Sequence, residues 1–174
     1  MSERLRPLTV PNNKARDIEL AVFDFDGVFT DNTVYVSAKG DEYVRCFRGD
    51  GLGLKRLREA GVRPHVLSTE KNKIVEVRCK KLNIEFEQGL KDKAASLRSL
   101  AEKLEIPLKH VAYVGNDIND IGCLEIVGVR IVVADALDEA RRVAEYVTSR
   151  FGGLGAVREV CDWIEACRNY QKKN

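Results

Sequence analysis

Three carboxylates follow an apolar run near the start of the chain, in the segment VFDFDGVFTDN at residues 22–32. Asp24 and Asp26 are separated by a single residue, and Asp31 follows five positions later. Like charges this close repel one another, so the segment implies a bound cation or a carboxyl group that keeps its proton. Taken alone, the dipeptide Asp26-Gly27 is also compatible with a turn that closes a hairpin.

Polar side chains also follow the next three apolar runs that we interpret as strands. These sets are Ser68, Thr69 and Glu70; Lys91, Asp92 and Lys93; and Asn116, Asp117, Asn119 and Asp120. The carboxyl ends of parallel strands meet at one edge of a sheet, and α/β proteins bind their ligands there. We therefore expect these residues to share one site with Asp24 and Asp26.

The chemistry of this set is that of phosphoryl transfer. Several acid oxygens suit a hard cation such as Mg²⁺, and a lysine and a hydroxyl opposite it can hold phosphoryl oxygens. One carboxylate can attack phosphorus and form an acyl phosphate. A second can protonate the leaving oxygen and later activate water. We predict Asp24 as the nucleophile and Asp26 as the acid/base.

The elements that position these residues alternate between strands and helices. The apolar run at residues 18–25 predicts a buried strand, and the alternating pattern at residues 33–47 predicts a β-hairpin. Helices and strands then alternate from a helix with Asp50 as its N-cap to a closing helix at residues 156–170. This order indicates an α/β fold, an open doubly wound parallel sheet with one hairpin inserted after its first strand.

Length and composition predict a single domain. The chain has 174 residues, of which 44% are hydrophobic, and we assign residues 18–174 to one domain. Residues 1–17 are polar and contain two prolines, so we expect a flexible N-terminal arm. Five cysteines without metal-type spacing are typical of reduced, buried thiols.

Charge and hydropathy argue against several partners. The 29 basic and 27 acidic residues leave a formal charge of +2 without a basic stripe, so nucleic acid is not an expected partner. The sequence contains neither a signal peptide nor an apolar run of about 20 residues that could span a bilayer. We therefore expect a soluble cytoplasmic protein without a membrane partner.

With these residues in place, the chain resembles the haloacid dehalogenase superfamily, whose first motif is Asp-x-Asp-Gly. More narrowly, it is similar to a capless subgroup. That subgroup comprises 3-deoxy-octulosonate 8-phosphate phosphatases, nonulosonate 9-phosphate phosphatases and the C-terminal domain of some CMP-sialate synthetases. The segments that carry the resemblance are DFDGVFTDN, VLSTEKN, GLKDK, YVGNDINDIGCL and GGLGAVRE.

The resemblance implies a role for each site residue. Asp24 would be phosphorylated, and Asp26 would act as acid/base and offer its backbone carbonyl to Mg²⁺. Ser68 would hold the phosphoryl group, and Lys93 would neutralise it. Gly27 and Asp120 would support the site.

Asn116 departs from the pattern of the superfamily. It stands where many relatives have a metal-binding aspartate, and a neutral amide removes one negative charge from the metal site. We therefore expect weaker metal binding or a larger part for Asp117.

The resemblance also implies a homotetramer in which the inserted hairpins, residues 33–47, pair around a central axis. In such an assembly the glycines of the tail at residues 150–174 would approach a neighbour's site. An uncovered hairpin in so small a domain is consistent with this arrangement.

The implied substrate is a 3-deoxy-2-ulosonate sugar phosphate, and we expect Thr30 to touch it. Glu70 replaces the Gly-Arg pair that octulosonate phosphatases tend to carry, and Arg78 and Lys81 match positions that reach substrate across a subunit boundary in nonulosonate phosphatases. These residues favour a nonulosonate 9-phosphate, of KDN or N-acetylneuraminate, over the eight-carbon 8-phosphate.

Two other classes remain open at this stage. One is a non-catalytic tetramerisation domain associated with a CMP-sialate synthetase, although the presence of both Asp24 and Asp26 favours an enzyme. The other is a phospho-accepting receiver domain, which also gathers acids, a hydroxyl and a lysine at one sheet edge. There the phosphorylated aspartate ends a middle strand of the chain, whereas here the Asp-x-Asp motif opens the fold.

Overall fold

A computed structural model describes residues 5–10 and 12–170 of the chain. Nine strands form a parallel seven-stranded sheet and an antiparallel pair. They are β1 Arg6–Pro7, β2 Leu20–Phe23, β3 Thr30–Val36, β4 Glu42–Cys46, β5 Arg63–Leu67, β6 Glu85–Glu87, β7 Val111–Gly115, β8 Val129–Val132 and β9 Tyr146–Val147. The large sheet has the order β1-β9-β8-β7-β2-β5-β6.

Strand β2 lies inside this sheet, between β7 and β5. Leu20 pairs with Arg63 of β5 on one side and with Val111 of β7 on the other, both in parallel register. All four residues of β2 are buried, as expected for a strand covered on both faces. The predicted open parallel α/β sheet is therefore confirmed, and the described part of the chain has no cap domain over it.

Seven helices and two 3₁₀ turns connect the strands. The helices are α1 Asn13–Arg16, α2 Asp50–Glu59, α3 Lys73–Leu82, α4 Lys93–Lys103, α5 Ile121–Ile126, α6 Asp138–Val143 and α7 Ala156–Asn169, and the 3₁₀ turns are Leu108–His110 and Ile118–Asp120. Helices α1 and α2 pack against α7, whereas α4, α5 and α6 form a second contacting group. No helix among the described residues is both long and apolar enough to cross a bilayer.

The close packing of α2 against α7 depends on a glycine. A Cβ atom at Gly53 would lie 2.8 Å from the Cδ atom of Arg158 and 3.1 Å from the Cβ atom of Cys161. Glycine is unfavourable inside a helix, so its presence here reflects the short distance between the two helices. The predicted N-cap Asp50 was wrong in its detail: Gly49 holds the N-cap position, and the buried Asp50 carboxylate accepts a hydrogen bond from the Arg158 backbone N–H at 3.2 Å.

The inserted hairpin consists of β3 and β4, with Val34 opposite Val44 and a bulge between Thr30 and Val34. It begins at Thr30, three residues earlier than the predicted start at residue 33. Four large apolar side chains on it are 52–66% exposed: Val34, Tyr35, Val36 and Tyr43. The hairpin thus presents an apolar surface that nothing in the described chain covers.

The N-terminal segment differs from the expected flexible arm. Arg6 pairs in parallel with Tyr146 of β9, the Asn12 amide donates to the Tyr146 hydroxyl at 2.8 Å, and the Trp163 indole donates to the Thr9 carbonyl at 2.8 Å. The segment gives the edge strand β9 a hydrogen-bonding partner, which composition alone does not reveal. Residues 1–4 and 11 of the predicted arm lie outside the described residues.

Candidate active site

Three buried charges form the centre of the site at the carboxyl end of β2. The ammonium of Lys93, at the start of α4, lies 2.7 Å from Asp24 Oδ1 and 2.9 Å from Asp120 Oδ1. None of the three residues is more than 4% exposed. Two carboxylates thus face one ammonium, which leaves a buried negative charge without a counter-ion, and such a charge is costly.

Asp120 connects this cluster to the loop after β7. Its Oδ1 atom also accepts a hydrogen bond from the Tyr113 hydroxyl at 2.6 Å, and its Oδ2 atom accepts from the backbone N–H groups of Asn116 and Asp117 at 2.8 and 3.2 Å. A Cβ atom at Gly115 would lie 2.6 Å from this carboxylate. Asp120 therefore fixes both the lysine and the loop.

The pKa values of the Asp24–Lys93 pair follow from this geometry. Burial, and then the charge of Asp120, raise the pKa of Asp24 to about 8, and the Lys93 ammonium opposes that rise. Burial lowers the pKa of Lys93, but the charges of Asp24 and Asp120 outweigh it, so the lysine pKa is raised. Lys93 is therefore an ammonium, and Asp24 needs a further positive charge nearby to stay ionised at neutral pH.

Asp26 lies in a different environment, half-buried beside a cavity. Burial, and then the charge of Glu70, raise its pKa, whereas the charge of Lys93 and a hydrogen bond with Thr30 lower it. Thr30 is only 1% exposed, and its Oγ1 atom accepts from the N–H groups of Gly27 and Asn32 at 3.1 and 3.2 Å. Thr30 thus shapes the loop, and it does not lie at the surface where we had expected it to touch substrate.

Ser68 and Glu70 follow β5 and hold their loop together. The buried Ser68 Oγ accepts from the Glu70 N–H at 3.0 Å, and Glu70 Oε1 accepts from the Asn72 N–H at 2.8 Å. Such side-chain to backbone bonds fix short polar turns. Ser68, Glu70 and the loop are therefore ordered by local hydrogen bonds.

Asn116 lies against the loop that carries Asp24 and Asp26. A Cβ atom at Gly27, whose φ is +79°, would lie 2.1 Å from the Asn116 amide nitrogen, so only glycine fits there. The amide oxygen of Asn116 is buried and has no hydrogen-bond partner. By contrast, the Asp117 carboxylate caps the following 3₁₀ turn, accepting from the Ile118 N–H at 2.6 Å.

The donor set fits a hard divalent cation. The described residues contain no group of three or more His, Cys, Asp and Glu side chains that could hold a metal ion by themselves. The unpartnered Asn116 oxygen and the unbalanced charge of Asp24 are nevertheless what an oxygen-ligated cation would satisfy. A metal here would need amide and backbone oxygens in addition to a carboxylate.

The glycine-rich segment before α7 packs on the same loop. The Gly153 N–H donates to the Val28 carbonyl at 3.0 Å, and a Cβ atom at Gly152 would lie 1.8 Å from the Gly27 carbonyl oxygen. A Cβ atom at Gly153 would lie 2.3 Å from the Asp31 nitrogen. Within this chain, the glycines of the tail therefore support their own active-site loop, whereas we had expected them to approach a neighbour's site.

A cavity of about 200 Å³ opens beside Asp26, between the hairpin and the start of α3. Glu70 lines this cavity, but Arg78 and Lys81 do not. The guanidinium of Arg78 donates to the Phe47 carbonyl at 3.0 Å, and Lys81 is exposed on α3. Of the three predicted substrate residues around α3, only Glu70 is thus brought to the cavity of this chain.

Sequence reasoning missed several residues that complete the site. The sequence places Tyr113 in an apolar strand and gives it no role in the site. A tyrosine hydroxyl inside such a strand nevertheless indicates a buried hydrogen-bond partner, which is Asp120. The sequence around Gly115 and Gly152 does not predict their roles. Gly115 is needed because of the nearby Asp120 side chain, and Gly152 because it packs on Gly27, which is distant in the sequence.

Comparisons with known proteins agree with this fold. Residues 57–152 match the family of haloacid dehalogenase-like hydrolases. The chain is 39% identical over 152 residues to the 3-deoxy-D-manno-octulosonate 8-phosphate phosphatase of Salmonella typhi, covering 87% of this chain and 81% of that protein.

Two crystal structures share the fold. A hydrolase of the same family from Streptomyces avermitilis has a TM-score of 0.86 and 41% identity, covering 92% of this chain and 91% of its own. The 3-deoxy-D-manno-octulosonate 8-phosphate phosphatase of Moraxella catarrhalis has a TM-score of 0.86 and 35% identity, and the match covers 92% of this chain and 93% of that one. The latter was solved with a magnesium ion, a phosphate ion and a KDO molecule.

The chain therefore belongs to the haloacid dehalogenase-like hydrolases. Within them it is a phosphatase of small sugar phosphates. The predicted family, enzyme class and magnesium cofactor are confirmed by these relatives.

Proposed function

We propose that this protein hydrolyses 3-deoxy-D-manno-octulosonate 8-phosphate to the free sugar acid and inorganic phosphate. The observation that carries the proposal is the buried Asp24–Lys93 pair at 2.7 Å, at the switch point of the sheet. Its relatives at 39% and 35% identity are phosphatases of that sugar phosphate.

The reaction proceeds in two displacements at phosphorus. An Asp24 carboxylate oxygen attacks the phosphorus, the bond from phosphorus to the sugar oxygen breaks, and Asp26 gives that oxygen a proton. Asp26 then takes a proton from water as the water attacks the phosphorus of the acyl phosphate, which releases phosphate and restores Asp24. Burial and the charge of Glu70 raise the pKa of Asp26, which supports its role as the proton donor.

Ser68 and Lys93 bind the phosphoryl oxygens, and Asp120 holds Lys93 in place. Asp24, the backbone carbonyl of Asp26 and the Asn116 amide oxygen would hold Mg²⁺, which when bound supplies positive charge to the phosphoryl group. We assign Asn116 and not Asp117 to this role because the Asn116 oxygen is buried without a partner, whereas Asp117 caps a 3₁₀ turn.

We further propose a cytoplasmic homotetramer assembled through the hairpin at residues 33–47. An isolated two-stranded hairpin is marginally stable in water, and the exposed Val34, Tyr35, Val36 and Tyr43 offer an apolar surface for a second hairpin.

A nonulosonate 9-phosphate is the second candidate substrate, favoured by Glu70. Its carboxylate lines the cavity beside Asp26, in place of the Gly-Arg pair of octulosonate phosphatases. Arg78 and Lys81, which gave the nine-carbon sugar its other support, lie outside that cavity in this chain. Residues that reach substrate across a subunit boundary need not line the cavity of their own chain, so we prefer the eight-carbon substrate because the relatives at 39% and 35% identity are phosphatases of it.

A phosphate-release assay tests both assignments. Purified protein is given the eight-carbon 8-phosphate and the 9-phosphates of N-acetylneuraminate and KDN, each with Mg²⁺ or with EDTA. We expect Mg²⁺-dependent release, fastest from the eight-carbon substrate. Faster hydrolysis of a nine-carbon substrate would overturn the substrate assignment, and hydrolysis that persists in Asp24→Asn would overturn the mechanism.

A further inference from the structure

The cavity beside Asp26 has a wall contributed by the hairpin of the same chain. Glu42 and Val44 of β4 and Thr33 and Val34 of β3 line one side of it, and Glu70 and residues of α3 line the other. Asp26, the proposed proton donor, also lines it. A leaving group that Asp26 protonates is therefore close to this wall.

Glu42 is held in place on that wall by a hydrogen bond to α3. Its Oε2 atom accepts from the Asn72 amide nitrogen at 2.8 Å. The Asn72 amide oxygen in turn caps α3 by accepting from the Ile74 N–H at 3.1 Å, and the Asn72 backbone N–H donates to Glu70 at 2.8 Å. A flexible glutamate on an exposed hairpin is thereby oriented by a helix N-terminus, which lowers the entropy that binding would otherwise cost.

The charges of the cavity select the kind of group that fits it. Asp26, Glu42 and Glu70 all line it, and no lysine or arginine is found among its described lining residues. Carboxylate oxygens accept hydrogen bonds from hydroxyl groups, and the adjacent Val34, Val44 and Ile74 suit a carbon chain. A negatively charged group is repelled, so the carboxylate of a sugar acid must lie outside this cavity.

From these contacts we propose that Glu42 is a specificity-determining residue. Its free carboxylate oxygen binds hydroxyl groups of the sugar next to the scissile phosphate, and Asn72 is the positioning residue that presents it. This inference rests on the proposed function, since it specifies how the same site recognises a polyhydroxylated leaving group.

The test compares two substrates in wild type and in Glu42→Ala. One substrate is 3-deoxy-D-manno-octulosonate 8-phosphate, and the other is p-nitrophenyl phosphate, which has no hydroxyl groups on its leaving group. The quantity compared is kcat/KM for the sugar phosphate divided by kcat/KM for p-nitrophenyl phosphate. We expect this ratio to fall about tenfold in Glu42→Ala, mainly through a higher KM for the sugar phosphate, because a charge-assisted hydrogen bond is lost. Glu76→Ala removes the same side chain from α3 outside the cavity and should keep the wild-type ratio.

A second variant separates this role from a merely structural one. Asn72→Asp keeps an acceptor for the Ile74 N–H but replaces the amide donor with a charge that repels Glu42. We expect it to lower the same ratio in the wild-type background and to leave it unaltered in the Glu42→Ala background. Melting temperatures of all variants are measured alongside the kinetics.

The outcomes keep the two proposals apart. A ratio in Glu42→Ala within twofold of wild type, or an equal rise of KM for both substrates, would overturn the role of Glu42. Wild-type protein that hydrolyses p-nitrophenyl phosphate but none of the sugar phosphates would instead overturn the proposed function.

Discussion

Two groups of carboxylates face the same reaction centre, and they are built in opposite ways. Asp24 and Asp120 are buried and share Lys93 at the start of α4, and the other bonds to Asp120 come from β7 and the loop after it. Glu42 and Glu70 line an open cavity and are held by the start of α3.

The difference separates chemistry from recognition. Buried charges interact strongly and need full compensation, so they can hold a reactive group in one state. Exposed carboxylates cost little to keep ionised and can be exchanged without disturbing the core. We infer that the buried group performs the phosphoryl transfer and that the open cavity sets which sugar is accepted.

The strongest way to break the buried group is Asp24→Asn. It removes the nucleophile, so we expect kcat to fall by at least about 10³-fold. It also removes one of two carboxylates that face a single ammonium, so the melting temperature without Mg²⁺ should not fall. Phosphate release and thermal unfolding are the measurements, and an inactive protein that melts well below wild type would contradict this account of the charges.

Asp50 is a buried carboxylate without a lysine, and it sharpens the comparison. Burial raises its pKa to about 7, and one of its oxygens has no partner. In the folded protein the group keeps its proton up to about pH 7, whereas in the unfolded chain it loses it near its ordinary pKa of 3.8. The contribution of Asp50 to stability therefore falls as the pH rises from about 4 to about 7 and is constant above that range.

Asp50→Asn removes this pH dependence and keeps an acceptor for the Arg158 N–H. We expect it to increase the free energy of unfolding by roughly 4 kcal/mol at pH 8, with the gain vanishing near pH 4. Urea unfolding of both proteins at several pH values measures it. A gain that is equal at all pH values would contradict an ionised Asp50.

Asn116→Asp adds a third carboxylate to the buried group. We expect the Mg²⁺ concentration for half-maximal activity to fall about tenfold, because a charged ligand binds the cation more strongly than an amide does. In EDTA the variant should melt at a lower temperature than wild type, since the added charge is then uncompensated. An unchanged Mg²⁺ requirement would exclude Asn116 as a ligand and favour Asp117.

The smallest effect comes from Tyr113→Phe, which removes a single hydroxyl donor to Asp120. We expect a loss of about 1 kcal/mol in stability and a modest decrease in kcat, since Lys93 is less firmly held. Unfolding and steady-state kinetics of the Phe variant provide the check. A decrease in KM without a change in kcat would indicate that Tyr113 does not act through Lys93.

Much of the site was predictable because it follows from local rules. Asp24, Ser68 and Asn116 each come directly after a strand, Lys93 begins the helix that follows β6, and parallel topology brings such positions together. Contacts between residues that are far apart in the sequence were not predictable. The bond from Asn72 to Glu42 depends on where the hairpin folds, and the pairing of Arg6 with Tyr146 joins two segments that are far apart in the sequence.

The contact between Gly152 and Gly27 has a consequence for how the protein is made. The loop that carries the nucleophile is completed by a segment from almost the opposite end of the chain. During synthesis, the strand that ends in Asp24 leaves the ribosome long before the glycines that pack on it. A nascent chain therefore holds its reactive residues early but gains an active centre only after the segment around Gly152 has also been synthesised.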